Sequence, residues 1–504
     1  MVRVGEPLSF DDVVAVATRD ARVELSPDAV ARIEAARAVV ERAADANAVV
    51  YGVTTGIGHL ANVHIPHDDA TRLQRDIVRS HATAVGERLP TEVVRAMLLL
   101  KARTLAAGYS GVRVEIVERL LELLNRRIHP EVPSRGSLGA SGDLAPLAHL
   151  ALPVIGDGRV EVEGTVLDTR DALKRAGLEP ITLSFKEGLS LVNGTELMLA
   201  SGILDTVAAE SLVATADLTG AMSLEACLGT DRAFDPDIIG LRKHPGAITS
   251  AERMRAFLEG SEIVASHRES EHLVQDAYSL RCMPQVHGAY RDALAYVRTT
   301  LERELHSTID NPSVFVGRDE VLSGGNFHGE ALALALDHLT LAVAGVATIA
   351  ERRIARLLDP ALNNGLPAFL TPDPGRRSGF MLAQYTAAAL VAENRTLCVP
   401  ASADSIPTSA GQEDHVSMGA TAALKASRVL ANSRTVVAIE AIVAAQGLEL
   451  RSPLKPAAAT AAACREVRKV SPHLEEDRPL GDDIEAVAVL VAGGVLEASA
   501  FSGS

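Results

Sequence analysis

Four stretches of this chain, residues 196–229, 328–358, 379–398 and 413–450, carry apolar residues at helical spacing, most of them over lengths well beyond an ordinary globular helix. Each is broken at its ends by Gly, Pro or Asn rather than in its middle. Helices this long must bury their apolar faces against one another, so the pattern predicts a bundle packed side by side. Ala-rich runs inside them, such as 386–391 and 420–426, let helices approach closely. Ala, Leu, Glu and Arg dominate the remainder, and strand signals are few. One small hairpin is expected at 158–167, where GRVEVEGTVL alternates apolar and polar residues around a glycine. No repeat, low-complexity linker or clean boundary divides the 504 residues.

Charge narrows the function. With 49 Lys and Arg against 65 Asp and Glu, the net charge of −16 opposes nucleic-acid binding, which needs a basic footprint. The four cysteines, Cys227, Cys282, Cys398 and Cys464, form no CxxC pair, which excludes a zinc ribbon or disulfide scaffold and suits a reducing cytoplasm. The first residues, MVRVGEPLSFDDVVAVA, show no secretory pattern. The longest apolar windows, such as 436–445 with Glu440 inside, read as too short or too charged to span a bilayer. A soluble, cytoplasmic protein with no membrane or nucleic-acid partner is expected. The histidines show no HxxxH or HExxH spacing, so no metal site is expected.

The chemistry concentrates at 136–150, GSLGASGDLAPLAHL, a glycine-rich turn leading into a helix. Asp143 is placed to cap that helix, and Pro146 falls in its first turn, where a missing N–H costs little. Gly136, Gly139 and Gly142 give GxxGxxG, not a dinucleotide fingerprint, and no GK[ST] follows. Ser141 lacks the second glycine of a nucleophile elbow. A tight turn remains one reading. Another is covalent: with no bulky side chain on Ala140 or Gly142, the Gly142 nitrogen can attack the Ala140 carbonyl. Loss of water there, and of the Ser141 hydroxyl, would leave a methylidene-imidazolone, an electrophile made from the chain itself.

This loop resembles the prosthetic-group loop of the histidine and aromatic amino acid ammonia-lyase family. The resemblance extends, in family order, through YGVTTG at 51–56, RSH at 79–81, LVNGT at 191–195, QDAYSLR at 275–281, SGGNFH at 323–328 and SIPTSAGQEDHVSM at 405–418. It covers roughly residues 5–500. It implies an all-α fold: a long central helical bundle with a smaller loop-rich N-terminal region, 1–195, that carries the prosthetic group. Residues 196–504 would then hold the bundle and C-terminal helices, all one continuous folding unit. It also implies a homotetramer with active sites shared between subunits.

The same resemblance assigns roles. Ala140, Ser141 and Gly142 match the cyclised triplet, with no metal or external cofactor. Tyr51 matches the base; a phenol of unperturbed pKa ~10 needs a cation or hydrogen bonds to act at neutral pH. Arg281 matches the residue that grips the substrate carboxylate, a task suited to the guanidinium fork. Asn193 and Tyr278 match residues that hydrogen-bond the prosthetic group and substrate, and Phe327 matches a packing residue beside it. Asp310, Asn311 and Asn326 read as turn or supporting residues.

Substrate choice rests on His81, which resembles histidine- and tyrosine-specific members, and on Glu413 and Met381, which resemble the pattern of histidine-specific ones. A carboxylate facing an imidazole makes a charge-assisted hydrogen bond; facing a phenyl ring it would be desolvated and unpaired. The expected reaction is removal of ammonia from L-histidine to give urocanate. Tyrosine, phenylalanine or another amino acid as substrate, or an aminomutase outcome yielding a β-amino acid, stand as alternatives. Ile57, Ala84, Gly411, Ala277 and Glu196 depart from the family pattern, and Ala84 and Ile57 lie nearest in sequence to the matched pocket residues.

Overall fold

The computed structural model describes residues 1–46, 48–66, 69–268 and 274–502. The four periodic stretches form helices Glu196–Ala226, Glu330–Leu358, Met381–Leu397 and Gly419–Glu449. A fifth long helix, Met283–Leu305, is less evident in sequence because Pro284, His287 and Gly288 dilute its pattern. Gly288 has a packing reason: a Cβ there would stand 2.2 Å from the Ala247 nitrogen, so the glycine lets helix Pro245–Leu258 cross at contact distance. Among the described residues there are twenty α-helices and nine short strands, the all-α architecture expected.

The last long helix starts at Gly419 rather than 413. Met418 takes a left-handed backbone, its N–H donates to the Leu138 carbonyl at 2.8 Å, and the Gly419 N–H caps onto Ser417 Oγ at 3.2 Å. Residues 413–418 are therefore tied to the glycine-rich loop instead of continuing the helix. The expected hairpin is present as Arg159–Val162 paired antiparallel with Thr165–Asp168. Glu163 and Gly164 both have positive φ, as a two-residue primed turn requires, and His129–Pro130 adds a third strand.

The residues group into two compact units, Met1–Leu204 with Arg298–Asp337 and Pro400–Leu424, and Asp205–Val297 with His338–Val399 and Lys425–Ser504. In the first unit, helices Thr91–Ala106 and Val114–Asn125 pack through Leu98, Leu99, Leu120 and Leu123, all fully buried. A strand pair, Val85–Arg88 with Pro133–Arg135, leads directly into the glycine-rich loop.

The second unit buries charge inside its helices. Arg353 forms a two-pronged pair with Glu440, whose oxygens also accept from Thr219 and Ser223 at 2.8 Å each. His287 Nδ1 lies 2.8 Å from Asp217 Oδ1. Such pairs gain less than they cost in desolvation unless every partner is satisfied, and their satisfaction fixes one helix register.

The expectation that no apolar stretch is long enough for a bilayer is corrected. Helices Glu196–Ala226, Glu330–Leu358 and Gly419–Glu449 reach that length and hydropathy, because scattered charges interrupt the apolar runs without lowering the window average. Between 67% and 83% of those windows is buried inside the protein.

Candidate active site

In the first unit, Ala140–Gly142 forms a loop between strand Pro133–Arg135 and helix Leu144–Ala151. Gly142 has φ +78°, and a Cβ on it would fall 1.9 Å from the Gly194 oxygen, so only glycine fits. The two glycine strands are laced together: the Asp143 N–H donates to Gly194 O at 2.6 Å and the Gly194 N–H to Ser141 O at 3.4 Å. This places Asn193 beside the triplet. Ala140 packs in a small apolar cluster with Val416 and Met418.

The Ser141 hydroxyl donates to Glu413 Oε1 at 3.2 Å. The other Glu413 oxygen accepts from Thr408 Oγ1 at 2.7 Å, and the same two residues form a backbone bridge. Glu413 is thus held by its own loop with one oxygen directed to the triplet.

His81 ends helix Ala70–His81, and its Nδ1 lies 2.8 Å from the Ile77 carbonyl. A carbonyl only accepts, so Nδ1 carries the proton and Nε2 is left as an acceptor in the neutral ring. Burial pushes the imidazole below its ordinary pKa, opposed by the Ile77 carbonyl and by the charge of Glu413. The hydroxyl oxygen of Tyr51 accepts from the Gly58 N–H at 3.0 Å, and the next amide, His59, donates to Ser409 Oγ at 3.3 Å. The loop of Tyr51 and the loop of Glu413 therefore meet.

Asp143 behaves differently from expectation. It precedes helix Leu144–Ala151 but makes no side-chain cap there. Its carboxylate instead accepts from the Leu197 and Met198 N–H groups at 2.9 and 3.1 Å, capping the start of helix Glu196–Ala226. The reason is topological: the Gly142–Gly194 bridge brings that helix end under the triplet. Full burial raises the Asp143 carboxyl to about 7, against the hydrogen bonds that favour its ionised form.

Among the departures, Ala84 is buried with its methyl against Gly136: a Cβ at 136 would stand 3.1 Å from it. It fills space at the root of the loop. Phe327 is half-buried, and a Cβ on Gly329 would lie 3.1 Å from Ser417 Oγ, so this turn runs past the support of the triplet.

Tyr278, Arg281 and Met381 belong to the second unit. Tyr278 and Arg281 open and close a four-residue helix, and the guanidinium carbon stands 4.7 Å from the tyrosine ring centre. The buried Arg353 reaches the Ser279 carbonyl at 3.5 Å, which ties this short helix to the internal charge network. Arg281 Nε is buried with no hydrogen-bond partner among the described residues. Met381 is the first residue of helix Met381–Leu397.

One grouping is not announced by sequence spacing. Ligand atoms of His328, Glu330 and His415 lie within 4.8 Å of one another, the only such group among the described residues. The two imidazoles stack in parallel, ring centres 5.7 Å apart, and His328 Nε2 faces the His415 carbonyl at 3.3 Å. Also illegible beforehand was the buried set Lys101, Lys186, Ser190 and Asp310 around Asn193, because Lys186 and Asp310 are 124 positions apart and Lys101 lies further still from Asp310.

A model of aromatic amino acid lyases matches residues 8–469. The chain is 54% identical over 501 residues to a histidine ammonia-lyase of Anaeromyxobacter dehalogenans (strain 2CP-C), covering 98% of each. Its fold matches the crystal structure of histidine ammonia-lyase from Trypanosoma cruzi with a TM-score of 0.91 at 42% identity, covering 100% of this chain and 95% of that one. It also matches tyrosine aminomutase from Streptomyces globisporus with a TM-score of 0.94 at 38% identity, covering 100% and 99%.

Proposed function

This chain belongs to the aromatic amino acid lyase family, and from that premise we propose that it deaminates L-histidine to urocanate at the site around Ala140–Gly142. The observation that carries the reading is the Glu413 carboxylate, 3.2 Å from Ser141 Oγ and within electrostatic reach of His81. A carboxylate there suits the N–H of an imidazole and penalises a phenyl ring.

The triplet fits a self-made prosthetic group: Gly142 turns where no side chain fits, and the only side-chain heteroatom, Ser141 Oγ, faces an acceptor. As a methylidene-imidazolone it would supply an electrophile, which no ordinary side chain offers. The chain's other groups bind and move protons. Tyr51 Oη, as the phenolate, takes the substrate proton and becomes neutral; the Gly58 amide that donates to that oxygen favours the anionic form it needs beforehand. Arg281 holds the carboxylate through its unpartnered Nε. Asn193 and Tyr278 orient the substrate, His81 Nε2 and Glu413 accept from its ring, and Met381 and Phe327 line it.

We also infer a homotetramer with shared sites, working in the cytoplasm. Leu382 and Tyr385, 53% and 59% exposed three residues apart on helix Met381–Leu397, support contact between copies. The sparse, widely spaced cysteines support a reducing compartment.

The test is a near-UV assay of the purified protein with L-His, L-Tyr and L-Phe, combined with product analysis and intact mass. Urocanate from L-His alone, with a two-water mass deficit, is expected. A β-amino acid product would make the protein an aminomutase, and turnover of another substrate would overturn the assignment to histidine.

A further inference from the structure

Asn193 is held from both ends by buried charge. Lys101 Nζ donates to its backbone carbonyl at 2.6 Å. Its side-chain Nδ2 donates to Asp310 Oδ1 and to the Asn311 carbonyl, each at 3.3 Å. Asp310 is enclosed by donors. Its Oδ2 accepts from Lys186 Nζ at 2.7 Å and Ser190 Oγ at 2.9 Å, and its Oδ1 also accepts from the Asn311 N–H at 2.7 Å. Four donors on two oxygens require an ionised, acceptor-only carboxylate. Lys186 and Asp310 are buried without solvent exposure.

The geometry points to Lys186 and Asp310 as positioning residues that fix which end of the Asn193 amide faces the substrate. Lys186 holds the Asp310 charge in place, Asp310 takes Nδ2, and Asn193 Oδ1 is left as the acceptor beside the triplet. An acceptor there receives an N–H of the substrate ammonium; an amide turned the other way would present a donor to a donor. The inference rests on the family chemistry proposed above.

The arrangement makes an unusual demand of substitutions. In Asp310→Asn the new amide must give its oxygen to Lys186, because the ammonium has only protons to offer. Its NH2 then meets Asn193 Nδ2 and the Asn311 N–H, two donor–donor conflicts that turn the Asn193 amide over. Removing the ammonium as well, in Lys186→Met/Asp310→Asn, lets the amide rotate: its oxygen returns to Asn193 and its NH2 faces Ser190 Oγ. A second substitution in the same buried site thus restores function. Purely structural damage predicts the opposite.

The experiment compares wild type, Asp310→Asn and the double variant by intact mass, thermal melting, and kcat and KM on whichever of L-His, L-Tyr and L-Phe the wild type turns over. Asp310→Asn is expected to mature with a lowered melting temperature, because the buried Lys186 loses its counter-charge, and to lose about 10- to 100-fold in kcat/KM, the cost of one mismatched buried polar group. The double variant is expected to recover most of that loss. Unimpaired Asp310→Asn, or a double variant at least as impaired as the single one, overturns the inference. Should Asp310→Asn not fold, the double variant decides alone: kcat/KM within roughly 10-fold of wild type supports the inference, and a larger loss overturns it. A wrong substrate assignment shows in the wild type and leaves the comparison intact. A wild type silent on all three overturns both readings.

Discussion

Ser141 and Glu413, 272 positions apart, meet through a hydrogen bond of 3.2 Å between the hydroxyl and one carboxylate oxygen. Thr408 occupies the other oxygen, so Glu413 cannot swing away without leaving Thr408 behind. Glu413→Gln keeps the shape and removes the charge. On L-histidine its kcat/KM should fall by about 10- to 100-fold, the worth of one hydrogen bond to a charged group. The ratio of histidine to phenylalanine turnover should fall with it. Undiminished preference for histidine in a substrate panel would remove Glu413 from the specificity assignment.

His81 is buried enough that its pKa lies below the ordinary 6.5. The neutral ring is the form the fold favours, with Nδ1–H on the Ile77 carbonyl. Because the folded value is depressed, the stability this group contributes is present above 6.5 and is lost as pH falls through the lowered folded value. Melting temperature should therefore drop on the acid side of 6.5 less steeply in His81→Gln than in wild type. Equal slopes from pH 7 to 5, measured by thermal denaturation at fixed salt, would mean the ring titrates as if exposed.

Most of the helical fold was readable because long amphipathic helices announce themselves by a local period. What escaped was set by contacts distant in sequence. Helix Gly419–Glu449 starts six positions late because Met418 is tied to Leu138, a partner no local pattern contains. Ser141, Asn193 and Glu413 were found through motif resemblance, and periodicity alone would have left them in turns. Asp310 reads in sequence as a turn or supporting residue and Lys186 carries no signal at all, since burial and pairing of charge appear only when the chain is folded. Asp143 was read as capping the next helix, whereas it caps one beginning at Glu196.

Asp143 offers a test of that cap. Its carboxyl is raised from 3.8 to about 7 by full burial. The folded state thus holds a proton that the unfolded state releases. Its contribution to stability is full below 3.8 and is lost as pH rises through about 7. In Asp143→Asn this dependence should vanish: the wild type should lose melting temperature relative to the variant between pH 5 and 8. Asp143→Ala, which strands the Leu197 and Met198 amides, should lose about 1–3 kcal/mol at any pH. A parallel pH course for wild type and Asp143→Asn in denaturant titrations would show that the carboxylate is ionised throughout.

Gly142 is the position at which maturation and fold meet. A methyl group on it would collide with the Gly194 oxygen, 1.9 Å away, and at φ +78° an L-residue is also strained. That oxygen is the acceptor for the Asp143 N–H, so the collision cannot be relieved without opening the bridge between the two glycine segments. Gly142→Ala should therefore lose the two-water mass deficit and all turnover, since opening that bridge displaces the turn from which the 142 nitrogen would attack the Ala140 carbonyl. Its stability should fall by roughly 1–3 kcal/mol, the cost of one strained residue, leaving a folded protein to examine. Ser141→Ala separates the two effects, because it leaves the turn intact and removes only the hydroxyl. It should melt like wild type and still lack one of the two water losses. If Gly142→Ala matures fully, judged by intact mass, the close approach of Gly142 and Gly194 does not govern formation of the electrophile.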